Sequence, residues 1–328
     1  MQFGLSISFE DWSHLRDLGQ TAEELGFDSL FFPDHLLFEG AERDGKPRHP
    51  ALDPIIQAAV VADATRRLRI GHLVLCNPFR HPGVTARSLA SLDQLSGGRL
   101  IAGLGAGWEE TEFRMHGIAF PDVATRLRML DEALSCIRGL WRGEPFSYAG
   151  EFYQLRDALL LPRPVQEPHP PFLLGGGGRG LLRLAARYAD VVNIVLETGR
   201  DGYVSLKRMA ELSDTSFREK VSFLRAEARR HGRDGGKIAV GHMVSSTIVA
   251  DSPAAARAAA EQAAGRMRLS LEAVRRSPAF LIGTPEECVS ELRRREAEWE
   301  SSQVIFTLSG MGGEPGLRRL AAEILAHV

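Results

Sequence analysis

The sequence is short of three things: cysteine, net charge and long apolar runs. Its 328 residues include three cysteines. Cys76, Cys136 and Cys288 are scattered, with no CxxC or Cys/His spacing. That fits a reducing compartment better than a disulfide framework or a zinc site. Lys and Arg number 40 against 42 Asp and Glu, a formal net charge of −2. This balance argues against a nucleic-acid binder, which needs a clustered positive surface to displace counterions. No stretch approaches about 18 uninterrupted apolar residues, so no transmembrane helix is predicted. The opening MQFGLSISFEDW lacks a basic segment followed by an apolar core, and no secretory signal is expected. The cytoplasm is the expected address, with neither nucleic acid nor membrane as a partner.

What is present is enough apolar matter for a core, at 44% of residues, arranged as short β-branched runs alternating with helical patterns. Strands are predicted at Phe3 to Ser8, Asp28 to Phe32, Leu68 to Leu75, Leu100 to Leu104, Phe172 to Leu174, Val191 to Val195, within Ile238 to Val249, and Gln303 to Leu308. Asp53-Pro54 and Ser252-Pro253 read as helix caps followed by a first-turn proline, and Thr284-Pro285-Glu286-Glu287 as a capping box. A helix is expected from about Tyr203 to His231. Eight strands alternating with helices indicate parallel βα units. A doubly wound open sheet shows the same alternation, and the count of eight favours a closed (β/α)8 TIM barrel. The expectation is one domain over 1–328, with a hairpin and linker inserted at about 143–171 and a variable helical insertion at about 200–277.

In such a barrel, chemistry belongs to the C-terminal strand ends and the loops after them. Four segments qualify. Asp34-His35 ends the second strand, where an acid beside an imidazole serves proton transfer, or else caps a turn and packs. Arg80 and His81 follow the third strand and suit an anion or metal, but no HxH pair or carboxylate cluster accompanies them, so a structural loop pinned by Pro78 and Pro82 is the simpler reading. The run GLGAG at 103–107, before Trp108-Glu109, allows close backbone approach to a ligand or a tight reversal without one. Gly175-Gly176-Gly177-Gly178-Arg179 joins a strand to a helix. Successive N–H groups there form an anion nest suited to phosphate, the alternative being a flexible turn.

The segments LGFDSLFFPDH, LRIGHLVLCNPFRHP, SGGRLIAGLGAGW, FLLGGGGRGLLRLAARYADVVN and IGTPEECVSELR, in this order, resemble the bacterial luciferase-like superfamily of flavin- or deazaflavin-dependent TIM-barrel oxidoreductases. The resemblance implies a non-prolyl cis peptide at Leu73–Val74 supporting the cofactor ring. It also implies a phosphate loop at Gly175 to Gly178 with Arg179, ring contact or proton transfer by Asp34 and His35, and cofactor contact by Ala106, Gly107 and Trp108. The chain looks most like coenzyme F420-dependent oxidoreductases, which move a hydride between deazaflavin and a small organic substrate; FMN-dependent monooxygenases, which use reduced flavin and oxygen, are the alternative. Sugar-phosphate dehydrogenases of the F420 group carry a catalytic glutamate directly after the GxG of strand four. Here Trp108 stands in that place and Glu109 follows. A homodimer is a further expectation from the resemblance. A non-catalytic flavin-binding barrel and a metal-dependent barrel hydrolase are the competing classes.

Overall fold

The computed structural model describes residues 1–7, 12–36, 52–195 and 212–328. Its strands are β1 (Gln2–Ser6), β2 (Ser29–Phe32), β3 (Arg69–His72), β4 (Leu75–Cys76), β5 (Leu100–Gly105), β6 (Phe146–Ala149), β7 (Gln154–Ala158), β8 (Phe172–Gly175), β9 (Val191–Ile194), β10 (Ala239–Val244), β11 (Ser246–Val249), β12 (Phe280–Gly283) and β13 (Ser301–Thr307). Nine of them form one sheet in the order β3-β2-β1-β13-β10-β9-β8-β5-β4, and pairing of β3 with β5 closes it. Because β3 and β4 are two pieces of one strand, this is an eight-stranded parallel barrel, the (β/α)8 fold that the count of eight favoured over an open sheet.

The helices are α1 (Trp12–Glu24), α2 (Pro54–Ala64), α3 (Pro82–Ser96), α4 (Glu110–Met115), α5 (Val123–Leu140), α6 (Arg179–Tyr188), α7 (Asp214–Arg230), α8 (Pro253–Met267), α9 (Leu271–Arg276), α10 (Pro285–Trp299) and α11 (Glu314–Glu323). Their starts follow local chemistry. Asp53 accepts the N–H groups of Ile55 and Ile56 ahead of Pro54, satisfying donors that a first turn leaves orphaned. Thr284 and Glu287 form a complete capping box. The expected start of a helix at Tyr203, and the first part of the expected insertion from 200, lie outside the described residues; α7 begins at Asp214 after its cap Ser213.

Contacts divide the chain into two compact units. One comprises Met1–Ile7, Thr21–Leu30 and Gly175–Val328. Within it β1 pairs with β13, β13 with β10, and β10 with β9, all parallel. The segment expected to hold one strand within 238–249 holds two. β10 joins the barrel, while β11 pairs with β12 in a separate two-stranded sheet. β12 was not expected, because a four-residue apolar run between helices carries no clear period.

The other unit comprises Ser8–Gln20 and Phe31–Leu174. It contains the antiparallel β6–β7 hairpin, inside the stretch read as an insertion. The third strand, expected to be continuous from Leu68 to Leu75, is broken at Leu73–Val74, whose peptide bond is cis. Strands approach closely here: a Cβ on Gly103 would lie 1.7 Å from the His72 carbonyl oxygen, whereas one on Gly265, in α8, would meet nothing within 4 Å. Gly103→Ala should therefore cost about 3 kcal/mol or more by overpacking. Gly265→Ala should be neutral or stabilising by up to about 1 kcal/mol. Urea unfolding of both variants checks the contrast.

Candidate functional site

In the second unit, β2 ends at Phe32 and delivers Asp34 and His35 to the loop that follows. Asp34 is buried. Its carboxylate accepts Arg80 Nη1 at 2.5 Å, Arg80 Nη2 at 3.2 Å and the Cys76 N–H at 2.9 Å. Arg80 Nη2 also reaches Asp53 Oδ2 at 3.0 Å. Burial pushes the Asp34 carboxyl upward from its ordinary range, opposed by the Arg80 guanidinium and the Cys76 N–H. The position read as a proton-transfer acid is thus held in a forked ion pair. Arg80, read as an anion-site candidate, is occupied by two carboxylates. His81 caps α3, its Nδ1 accepting the Gly83 N–H at 3.1 Å.

His35 points elsewhere. Its Nδ1 lies 2.7 Å from Glu112 Oε1, and its ring meets the Trp108 ring edge-on at 5.8 Å between centroids. Glu112 lies in α4, and its side chain is 3% exposed. A carboxylate can only accept, so in this contact Nδ1 is the donor. Nothing in the sequence announces this pair, since 77 residues separate its members. Glu109 caps α4 by accepting the Thr111 N–H at 3.2 Å. Gly107 has φ +80°, and a Cβ there would lie 2.8 Å from Cys76 Sγ and 2.9 Å from the Phe113 ring. Local packing alone therefore requires this glycine. Its chain neighbours Ala106 and Trp108 are half-buried, and so are Leu73 and Val74 at the cis bond.

In the first unit, Gly175 ends β8 and Gly178 caps α6, which begins at Arg179. Gly176 has φ +152°, and a Cβ there would strike Leu181 at 2.4 Å. Its N–H donates to the Asn193 carbonyl at 3.0 Å, so Gly176 shapes the loop rather than offering a donor. The first-turn N–H groups of α6 have no partner within the helix. Lys220 Nζ donates to the Gly177 carbonyl at 2.8 Å and brings positive charge to the loop. Arg179 and Arg183 both stand over the Phe223 ring, at 5.3 and 5.6 Å. Lys220, on a helix distant in sequence, went unforeseen.

Among the described residues no three His, Cys, Asp or Glu side chains gather as a metal site, and no helix is long and apolar enough to cross a membrane. His72, the residue before the cis bond, is completely buried. Burial lowers its pKa to about 3, so it stays neutral in the fold, while in the unfolded chain it titrates near 6.5. As pH falls from about 6.5 toward 3, the unfolded chain takes up a proton that the fold refuses, and stability drops. One proton is worth about 1.4 kcal/mol per pH unit. His72→Leu should flatten the acid loss by up to that slope, read from urea midpoints at pH 7 and pH 4. Equal slopes in the two proteins would assign the acid loss to other groups.

The profile described as luciferase-like monooxygenase matches residues 1–278. An F420-dependent glucose-6-phosphate dehydrogenase of Nakamurella multipartita is 34% identical over 238 residues, covering 68% of this chain and 68% of that protein. An FMNH(2)-dependent dimethylsulfone monooxygenase of Pseudomonas putida is 32% identical over 180 residues, covering 55% of this chain and 48% of that protein. A solved F420-dependent secondary alcohol dehydrogenase, in complex with an F420-acetone adduct, superposes with a TM-score of 0.79 at 20% identity, covering 100% of this chain and 99% of that one; at that identity the match concerns the fold. Barrel, motif order and profile agree: the chain belongs to the luciferase-like monooxygenase family.

Proposed function

We propose that this protein is an oxidoreductase that uses coenzyme F420 to move a hydride to or from a small organic substrate. The observation that carries the reading is the 34% identity over 238 residues to an F420-dependent dehydrogenase. The residues present fit the cofactor's phosphate. Gly176 leaves no room for a side chain, nothing among the described residues beyond its chain neighbours lies within 4 Å of where a Gly178 Cβ would stand, and Lys220 adds a cation beside Gly177. Gly177, Gly178 and the first turn of α6 at Arg179 would hold that phosphate by N–H donation at a helix N-terminus. Leu73 and Val74 would support the ring, and Ala106, Gly107 and Trp108 would flank it. When bound, the deazaflavin supplies two-electron hydride chemistry.

The chain's own chemistry centres on His35. Glu112 fixes its tautomer, so Nε2 gives or takes the proton that accompanies hydride movement at the substrate. Asp34 is a positioning residue in this reading, since its oxygens are committed to Arg80 and Cys76. Glu109 is committed to capping α4. The acid that sugar-phosphate dehydrogenases use after strand four is thus missing in place and in role, and glucose 6-phosphate is not the proposed substrate.

The phosphate loop accepts FMN as readily, and an FMN-using relative at 32% identity supports that second reading. Titration of apo protein with each cofactor separates the two. The expected result is tighter binding of F420, weakened by added salt because its oligoglutamate tail meets basic residues and exposed ion pairs are screened over about 10 Å at 0.1 M. FMN binding without F420 binding would transfer the protein to the monooxygenase reading. With the cofactor established, His35→Ala should lower turnover by about 10²–10⁴ with little change in Tm. Glu112→Gln, which can still accept from Nδ1, should lose less than Glu112→Ala. Full activity in His35→Ala would return that ring to packing.

A further inference from the structure

Within the first unit, β9, β10 and β13 lie side by side, and their register aligns Asn193 with Gly241 and Gly241 with Gln303. Strand alternation tells which way these three face. The next residue of β10, His242, meets Phe217 of α7 and Trp299 of α10 edge-on and approaches Arg295 Nη1 at 3.1 Å. His242 therefore faces the helices. Gly241 faces the opposite way, to the inner face of the barrel sheet, and its register partners Asn193 and Gln303 turn with it.

Both amides are sealed there, Asn193 at 0% and Gln303 at 2% exposure. Asn193 Oδ1, Asn193 Nδ2 and Gln303 Oε1 have no hydrogen-bond partner among the described residues. Left so, each would cost the desolvation of a buried polar atom. Between the two amides stands the one position of the three that lacks a side chain. A Cβ on Gly241 would come within 3.3 Å of Gln303 Cβ, O and Oε1, so the Gln303 side chain lies along the space that glycine keeps open.

We infer that Asn193 and Gln303 build a buried binding position for one water molecule over Gly241, on the inner face of the barrel sheet. Water suits it because the partners are neutral, supply both donor and acceptor atoms, and number three, the usual complement of an internal water. Whichever way the amides are turned, a water can answer them, since it donates and accepts. A charged ligand would find no countercharge in this set. The position also reaches the glycine loop, because the Asn193 carbonyl accepts the Gly176 N–H at 3.0 Å. Fixing the Asn193 side chain fixes the strand end from which Gly176 hangs, which makes Asn193 a positioning residue for the loop. None of this depends on which cofactor the loop receives.

A crystal structure of the unmodified protein, at a resolution that shows ordered solvent, is the direct test. One water should lie within about 3.2 Å of Gln303 Oε1 and of an Asn193 amide atom. An empty position, or a direct bond between the two amides, overturns the assignment. Gly241→Ala puts a methyl group into the same space and should lower Tm by a few degrees (roughly 2–4 °C per kcal/mol for chains of this order). The double variant Asn193→Leu with Gly241→Ala should recover part of that loss, since the methyl group then meets an apolar neighbour and only Gln303 Oε1 is left to satisfy. Strictly additive Tm losses would count against a shared site.

Discussion

The guanidinium of Arg80 is the tie on which the candidate site depends. It bridges Asp34 and Asp53, and each carboxylate does a second task. Asp34 takes the Cys76 N–H, which anchors the chain just past the cis bond. Asp53 takes two N–H groups at the start of α2. One planar cation thus joins the end of β2, the start of α2 and the loop after β4. The pair is largely buried, with Arg80 at 19% and Asp34 at 1% side-chain exposure. Removing one partner from it leaves an uncompensated charge, at about 3–5 kcal/mol. His35 follows Asp34 directly, so whatever fixes Asp34 also fixes where the imidazole begins.

That division of labour separates neighbours that look equivalent in sequence. Asp34 and His35 are adjacent, yet one turns into an ion pair and the other toward Glu112 and Trp108. Glu109 and Glu112 lie three residues apart, yet the first caps its own helix and the second orients an imidazole. In the other unit, Gly176 and Gly177 are neighbours whose backbone groups serve different partners, the Asn193 carbonyl and the Lys220 ammonium. A constellation of this kind is recognised by what each atom is already bonded to, and residue type alone does not reveal it.

What was legible in the sequence was local. Asp53-Pro54, Ser252-Pro253 and the Thr284 to Glu287 box each carry their chemistry within four residues, and each caps a helix as expected. Alternation left an open sheet and a barrel both possible, with the count of eight favouring the barrel, and the family resemblance, counted from GHLV, implied the cis bond that the structure has. The remainder depended on distance along the chain. Glu112 to His35 and Lys220 to Gly177 are meetings between residues 77 and 43 positions apart, and no spacing rule encodes them. The β11–β12 pair was missed for the same reason: each strand is four residues long, and its identity comes from a partner more than thirty positions away.

The most direct test of the central claim, that Arg80 and Asp34 act as one unit, is their coupling energy. A double-mutant cycle of Arg80→Met and Asp34→Asn, read by urea unfolding, measures it. A buried, forked pair sharing hydrogen bonds should give a coupling of about 2–3 kcal/mol, with the double variant more stable than the two single losses add up to. A coupling below about 0.5 kcal/mol, the value of an exposed ion pair, would contradict the account.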